Sequence, residues 1–177
     1  TVNSGASAAE WAAASGGNPD LYADSANGSA VTPTANAGGS YNSVAIGNGA
    51  DIGSGRGDSI AIGTDALANQ SQALAIGRSA TVNSSGTWGT AVGRNSIVNG
   101  QAAVSLGNSY GSGSYGFSAV IDNNSIYGAS SSYAVAIGKN AYANGSYSVA
   151  IGGSAPIAGS FGAISLGYET VSNGTYA

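Results

Sequence analysis

A short motif returns nine times along this chain, and that repetition limits the fold more than any other feature. The copies are Ser43-Val44-Ala45-Ile46-Gly47, Ser59-Ile60-Ala61-Ile62-Gly63, Ala73-Leu74-Ala75-Ile76-Gly77, Gly89-Thr90-Ala91-Val92-Gly93, Ala103-Val104-Ser105-Leu106-Gly107, a weaker Ser118-Ala119-Val120-Ile121-Asp122, Ala134-Val135-Ala136-Ile137-Gly138, Ser148-Val149-Ala150-Ile151-Gly152 and Ala163-Ile164-Ser165-Leu166-Gly167. The large aliphatic falls at 46, 62, 76, 92, 106, 121, 137, 151 and 166, in steps of 14 to 16 residues. Self-similarity at a fixed short period marks a repeat architecture. Each copy is followed by two or three polar residues and a second alternating segment, such as Ala66-Leu67-Ala68, Ala80-Thr81-Val82, Ser96-Ile97-Val98 or Ala141-Tyr142-Ala143, and then by Asn, Gly and Ser.

One unit therefore reads strand, turn, strand, turn. Alternate residues of a strand share a face, so Val44 and Ile46 point one way and Ala45 the other. A helix would place its apolar residues at i, i+3 and i+4, and would not tolerate the 30 glycines. Two short strands and two turns make one coil of a solenoid. Nine coils stacked at the strand spacing of roughly 4.8 Å span about 43 Å. Ordering about 15 residues per coil costs more than burying two aliphatics returns, so the Val/Ile face is expected to be covered by other chains. A wedge-shaped roll with one apolar face suits a closed cyclic homotrimer, although the argument demands burial by a partner rather than the number three. Two face assignments satisfy the alternation. Either the small Ala45-type and Ala66/Ala68-type columns fill a thin roll while the aliphatics face the partner chains, which we favour, or the aliphatics fill the roll.

Composition removes several functions. With four Lys and Arg and a net charge of −4, the chain lacks the basic patch that a nucleic-acid partner requires. Neither Cys nor His occurs, which excludes disulfides, Ser/His and Cys/His nucleophile systems and most zinc sites. The carboxylates Asp51, Asp58, Asp65, Asp122 and Glu169 stand singly, unlike the acid pair of a glycosidase. No Gly-Gly-x-Gly-x-Asp calcium repeat occurs. We therefore expect no enzyme activity and no cofactor or metal. No apolar run reaches membrane-spanning length, and no signal peptide opens the chain. A chain that begins at Thr1 rather than Met is expected to be a piece of a longer protein.

The segment Asn42-Ser43-Val44-Ala45-Ile46-Gly47 and its near copies Tyr133-Ala134-Val135-Ala136-Ile137-Gly138 and Tyr147-Ser148-Val149-Ala150-Ile151-Gly152 resemble the signature of YadA-like heads of trimeric autotransporter adhesins. The resemblance covers residues 41–177. It implies an all-β, left-handed parallel β-roll solenoid of about nine 14–16-residue coils, assembled as a homotrimer on the outer surface of a Gram-negative bacterium. It also implies a stalk and an outer-membrane anchor elsewhere in the full protein. As partners it implies extracellular-matrix proteins, host-cell receptors or glycans, or like adhesins on neighbouring cells. Residues 1–40 do not fit the repeat. With Glu10-Trp11-Ala12-Ala13-Ala14 as a short helix, they are expected to cap the exposed edge of the first coil.

Candidate sites follow from the columns. The expected trimer interface comprises Val44, Ile46, Ile60, Ile62, Leu74, Ile76, Val92, Val104, Leu106, Val135, Ile137, Val149, Ile151, Ile164 and Leu166. Arg56-Gly57-Asp58 is an integrin-type tripeptide in a Gly-rich turn, expected to be flexible and exposed, though three residues also match by chance. Arg78, Arg94 and Lys139 share one slot and read either as a basic stripe for an anionic ligand or as edge protection. Tyr110, Tyr115, Phe117, Tyr127, Tyr133, Tyr142 and Tyr147 cluster in the second half. Tyr110, Tyr115, Tyr127 and Tyr142 are taken as candidate ligand contacts, against the alternative of stacking from coil to coil. Trp88 is expected to anchor packing in a long turn, and Trp11 to do so in the cap. The favoured reading is an adhesin head. A structural spacer carrying another tip and a phage-tail-type glycan-binding roll are the alternatives.

Overall fold

A computed structural model describes residues 42–120 and 127–177, together with the backbone of Leu21–Ala23 (β1). Each coil contributes one longer strand to a single ten-stranded sheet. These are β2 (Val44–Ile46), β4 (Ile60–Ile62), β6 (Leu74–Ile76), β8 (Thr90–Val92), β10 (Val104–Leu106), β12 (Phe117–Val120), β14 (Val135–Gly138), β16 (Val149–Ile151) and β18 (Ile164–Leu166), preceded at the edge by β1. The second strand of each coil is shorter. β3 (Asp51–Ile52), β5 (Leu67–Ala68), β7 (Thr81–Val82), β9 (Ile97–Val98) and β11 (Tyr110–Gly111) form a five-stranded sheet. β13 (Gly128–Ala129), β15 (Tyr142–Ala143), β17 (Ile157–Ala158) and β19 (Val171–Ser172) continue it as a four-stranded one. Every pairing is parallel and joins one coil to the next, as in Val44↔Ile60, Ala45↔Ala61 and Ile46↔Ile62. The chain is thus a parallel β-solenoid of about nine turns, with no helix among the described residues.

The alternation is resolved in favour of a small-residue interior. Ala45, Ala61, Ala75, Ala91, Ala136 and Ala150 are fully buried, and Ser105, Ser118 and Ser165 take their place in three coils. Ala50, Ala66, Ala80 and Ala141, with Ile52, Ala68, Val82, Val98 and Ala143, close the interior from the opposite sheet. Ala129, Ala158 and Ala163 continue this packing near the other end. Interiors pack at crystal density, and methyl-sized side chains let two sheets of such short strands approach. Val44, Ile46, Ile60, Ile62, Leu74 and Ile76 turn outward and are half-buried, as are Val92, Val104, Leu106, Val135, Ile137 and Val149.

Both turns are built on left-handed backbone. At the end of every long strand from β2 to β18 except β12 stands a glycine, and at Gly47, Gly63, Gly77 and Gly93 φ is +121 to +130°. A Cβ on Gly63 would sit 2.7 Å from the carbonyl carbon and oxygen of Gly77 in the next coil, so only glycine fits. The turn that enters each long strand from β2 to β16 carries a non-glycine residue at positive φ: Asn42, Asp58, Gln72, Trp88, Ala102, Tyr115, Tyr133 and Tyr147, all between 50 and 62°, and Tyr176 repeats the geometry at 57° after β19. This costs energy for an L residue. In most coils the strain is offset by the residue's N–H, which donates to the preceding coil, as Tyr133 does to Ser114 O (2.9 Å) and Tyr147 to Ser132 O (3.0 Å).

The structure departs from the sequence expectations at two places. The sixth copy is not Ser118-Ala119-Val120-Ile121-Asp122: Val104 pairs with Phe117, Ser105 with Ser118 and Leu106 with Ala119. The strand therefore sits two residues earlier, and Val120 takes the glycine slot opposite Gly138. Trp88 is no packing anchor. It occupies the left-handed turn slot with its ring exposed. Ile121, Asp122, Trp11 and the Glu10–Ala14 helix lie outside the described residues. Of segment 1–40, Leu21–Ala23 pairs in parallel with Val44–Ile46 at the sheet edge.

Candidate functional site

Because coils stack in register, residues in one turn slot form a column parallel to the solenoid axis. The left-handed slot projects its side chain away from the core, and in the second half of the chain aromatic rings occupy or adjoin that slot. Tyr115 and Tyr133 stack with centroids 5.2 Å apart and planes at 5°, and Tyr133 and Tyr147 at 4.8 Å and 9°. The row continues through Phe161, tilted on Tyr147 at 5.3 Å, to Tyr176, edge-on at 5.4 Å. Tyr115, Tyr133 and Tyr147 are 48, 48 and 55% exposed. The centroid spacing follows from the spacing of neighbouring strands, so the backbone itself sets the rung distance.

Phe161 joins the ladder from one residue off register. In its coil the left-handed slot is Gly162, whose N–H donates to Ser146 O (2.9 Å), and the neighbouring Phe161 supplies the ring. A Cβ on Gly162 would lie 2.8 Å from Cδ1 of Tyr176, so the bare glycine leaves room for the next ring.

The candidate aromatics divide into two groups. Tyr115 belongs to the ladder. Tyr110 and Tyr142 stand on the outer face of the short-strand sheet, half-buried. The Tyr110 hydroxyl accepts a hydrogen bond from Asn99 Nδ2. Tyr127 packs against the interior of the second half and meets Tyr142 edge-on at 6.3 Å. Tyr133 and Tyr147 were visible as members of the aromatic cluster, but Phe161 and Tyr176 escaped the sequence reading. The available signal was an aromatic two residues before the first outward aliphatic, as at 133 and 147; it fails for Phe161, which is displaced by one.

Arg56-Gly57-Asp58 is not a projecting loop. Gly57 is buried, its carbonyl accepts from Gln72 N (2.9 Å) and Ser59 Oγ (3.0 Å), and its N–H donates to Ser71 Oγ (3.4 Å). Asp58 occupies the same turn slot as the ladder rings and accepts from Asn42 Nδ2 (3.1 Å). The tripeptide is a rung of the solenoid, with an exposed Asp58 and a half-buried Arg56.

Arg78 and Arg94 are exposed on consecutive coils, since Ser79 N donates to Thr64 O (2.8 Å) and Asn95 N to Arg78 O (2.9 Å). Lys139 lies exposed in the same slot three coils further on. The outward aliphatics form a row along the long-strand sheet. Their exposure is highest on the last coils, at 37% for Ile151, 54% for Ile164 and 61% for Leu166. No group of three or more His, Cys, Asp or Glu is gathered anywhere among the described residues.

Comparison with known families finds two copies of the YadA head domain repeat, matching residues 57–80 and 129–155. A search of curated proteins finds no match.

Proposed function

Because the chain carries YadA head domain repeats, we propose that it acts as the adhesive head of a trimeric surface adhesin, displayed outside the outer membrane. The observation that carries this reading is the row of aliphatics on the outer face of the long-strand sheet. Its own chain leaves the row half-covered from Val44 to Val149 and more open at Ile164 and Leu166. An apolar row left partly open along the length of a sheet is the kind of surface that a partner chain covers. Three copies joined through the long-strand faces would bury the row around a common axis and leave the turn edges, ladder included, facing outward.

On this reading, adhesion is multivalent. Three heads on one rod raise the effective concentration of weak sites without raising single-site affinity. The partner is a host matrix protein, cell-surface receptor or glycan, or a like head on a neighbouring cell, and the aromatic ladder is the contact surface we favour. The test has two parts. Sedimentation of the purified protein should give a trimer, and Ile76→Asp with Ile137→Asp should remove it. The trimer should then be screened against matrix proteins and glycans beside a variant with Tyr115, Tyr133 and Tyr147 replaced by Ser. Loss of binding by about tenfold or more with the trimer intact supports the ladder as the contact. Unchanged binding moves the contact elsewhere, and a trimer that binds nothing is a spacer.

A further inference from the structure

We propose that Tyr115, Tyr133 and Tyr147 form an oxidative coupling site, at which hydrogen peroxide and a peroxidase-type one-electron oxidant join neighbouring rings as dityrosine. Ring geometry and composition define this site, whatever the head adheres to. The three rings are stacked within 9° of parallel at 5.2 and 4.8 Å, and about half of each is open to solvent. With no Cys and no Met in the chain, the sulfur side chains that ordinarily intercept oxidants are missing. Trp88 is separated from Tyr115 by Ala102 in the same turn column.

The reaction balances. Each of two phenols gives its hydroxyl hydrogen, as one proton and one electron, to the oxidant, and the peroxide O–O bond breaks to yield two waters. The two phenoxyl radicals then pair to form one carbon–carbon bond between ortho carbons. Each ring moves the hydrogen from that carbon to its oxygen as a proton, restoring two phenols. Two tyrosines and one peroxide thus become one dityrosine and two waters, and one coil is tied covalently to the next.

The ladder also sets where coupling occurs. Phe161 has no phenol and separates Tyr147 from Tyr176, so the reachable pairs are Tyr115 with Tyr133 and Tyr133 with Tyr147. Tyr133 belongs to both. Tyr127 and Tyr142 stand perpendicular at 6.3 Å, and the Tyr110 hydroxyl is held by Asn99.

The experiment treats the purified protein with peroxide and a haem peroxidase, follows dityrosine fluorescence, and maps the linked peptides by mass spectrometry. The expected result is coupling within one chain, with links confined to Tyr115–Tyr133 and Tyr133–Tyr147. Tyr133→Phe should keep the ring stack and lower the yield at least tenfold, because its neighbours are two rungs apart. Tyr142→Phe should leave the yield unchanged. The proposal is overturned if no dityrosine forms, if Tyr133→Phe couples as well as the parent, or if the links run mainly between chains or through Tyr110, Tyr127, Tyr142 or Tyr168.

Discussion

At the scale of single residues, this fold is governed by what has no room to grow. Gly77 has φ +130°, and a Cβ there would lie 2.6 Å from the carbonyl oxygen of Gly93. Backbone strain and a clash with backbone act together, so Gly77→Ala should lower stability by about 2–5 kcal/mol. Gly153 meets nothing within 4 Å of its hypothetical Cβ, and Gly153→Ala should change stability by less than about 0.5 kcal/mol. Urea unfolding of the two variants checks the contrast, and equal midpoints would contradict the stacking of the glycine column. The interior serines supply a second pair. Ser105 Oγ bonds Ser109 O (2.9 Å) and the hydroxyls of Ser96 (2.9 Å) and Ser109 (2.6 Å), so Ser105→Ala should cost about 1–2 kcal/mol. Ser118 fills the same column with its hydroxyl buried and unpartnered among the described residues. Ser118→Ala should therefore stabilise by about 1 kcal/mol. Calorimetric midpoints moving in opposite directions are the expected result.

At the scale of strands, alternation made most of the fold legible in the sequence. Ala45 and Ala61 against Val44, Ile46, Ile60 and Ile62 distinguish two faces, and the choice between inside and outside follows from how thin the roll must be. Register was legible only where a glycine follows the motif. In the sixth copy, sliding the strand by two residues leaves Ser118 and Val120 inward and Ala119 outward in either register. A period of two cannot detect a slip of two, and Val120 in the glycine slot removed the other marker. The aromatic ladder was hidden for a related reason. Its rungs are 18, 14, 14 and 15 residues apart in sequence and one comes from a neighbouring slot, so only the three-dimensional register reveals a continuous row. The same columns carry a prediction for β8. Thr90 interrupts the outward row between Leu74 and Val104. If other chains cover that face, Thr90→Val removes a hydroxyl that is dehydrated on assembly and should stabilise the assembled protein by about 1 kcal/mol per chain. An unchanged thermal midpoint would mean that this part of the face stays in water.

At the scale of the whole molecule, the interior and the outer face present opposite problems. The interior is filled mostly by alanine and serine, with Ile52, Val82, Val98 and Val120 the largest aliphatics wholly enclosed among the described residues. Such an interior buries little apolar area per ordered residue, while the larger aliphatics lie on the outside. A lone chain would therefore hold its best hydrophobic groups where they contribute least. If assembly supplies the missing burial, folding and association are one equilibrium, and the apparent stability must depend on chain concentration. For a trimer that unfolds to three separate chains, the specific enthalpy of typical proteins makes a hundredfold rise in concentration raise the thermal midpoint by about 5 °C. A self-sufficient single chain would show no such shift. Calorimetry at two concentrations under reversible conditions separates these cases. Repeating it with Ile76→Asp and Ile137→Asp shows whether the outward aliphatics cause the dependence: their replacement should lower the midpoint most at high concentration, where the parent gains most from its partners.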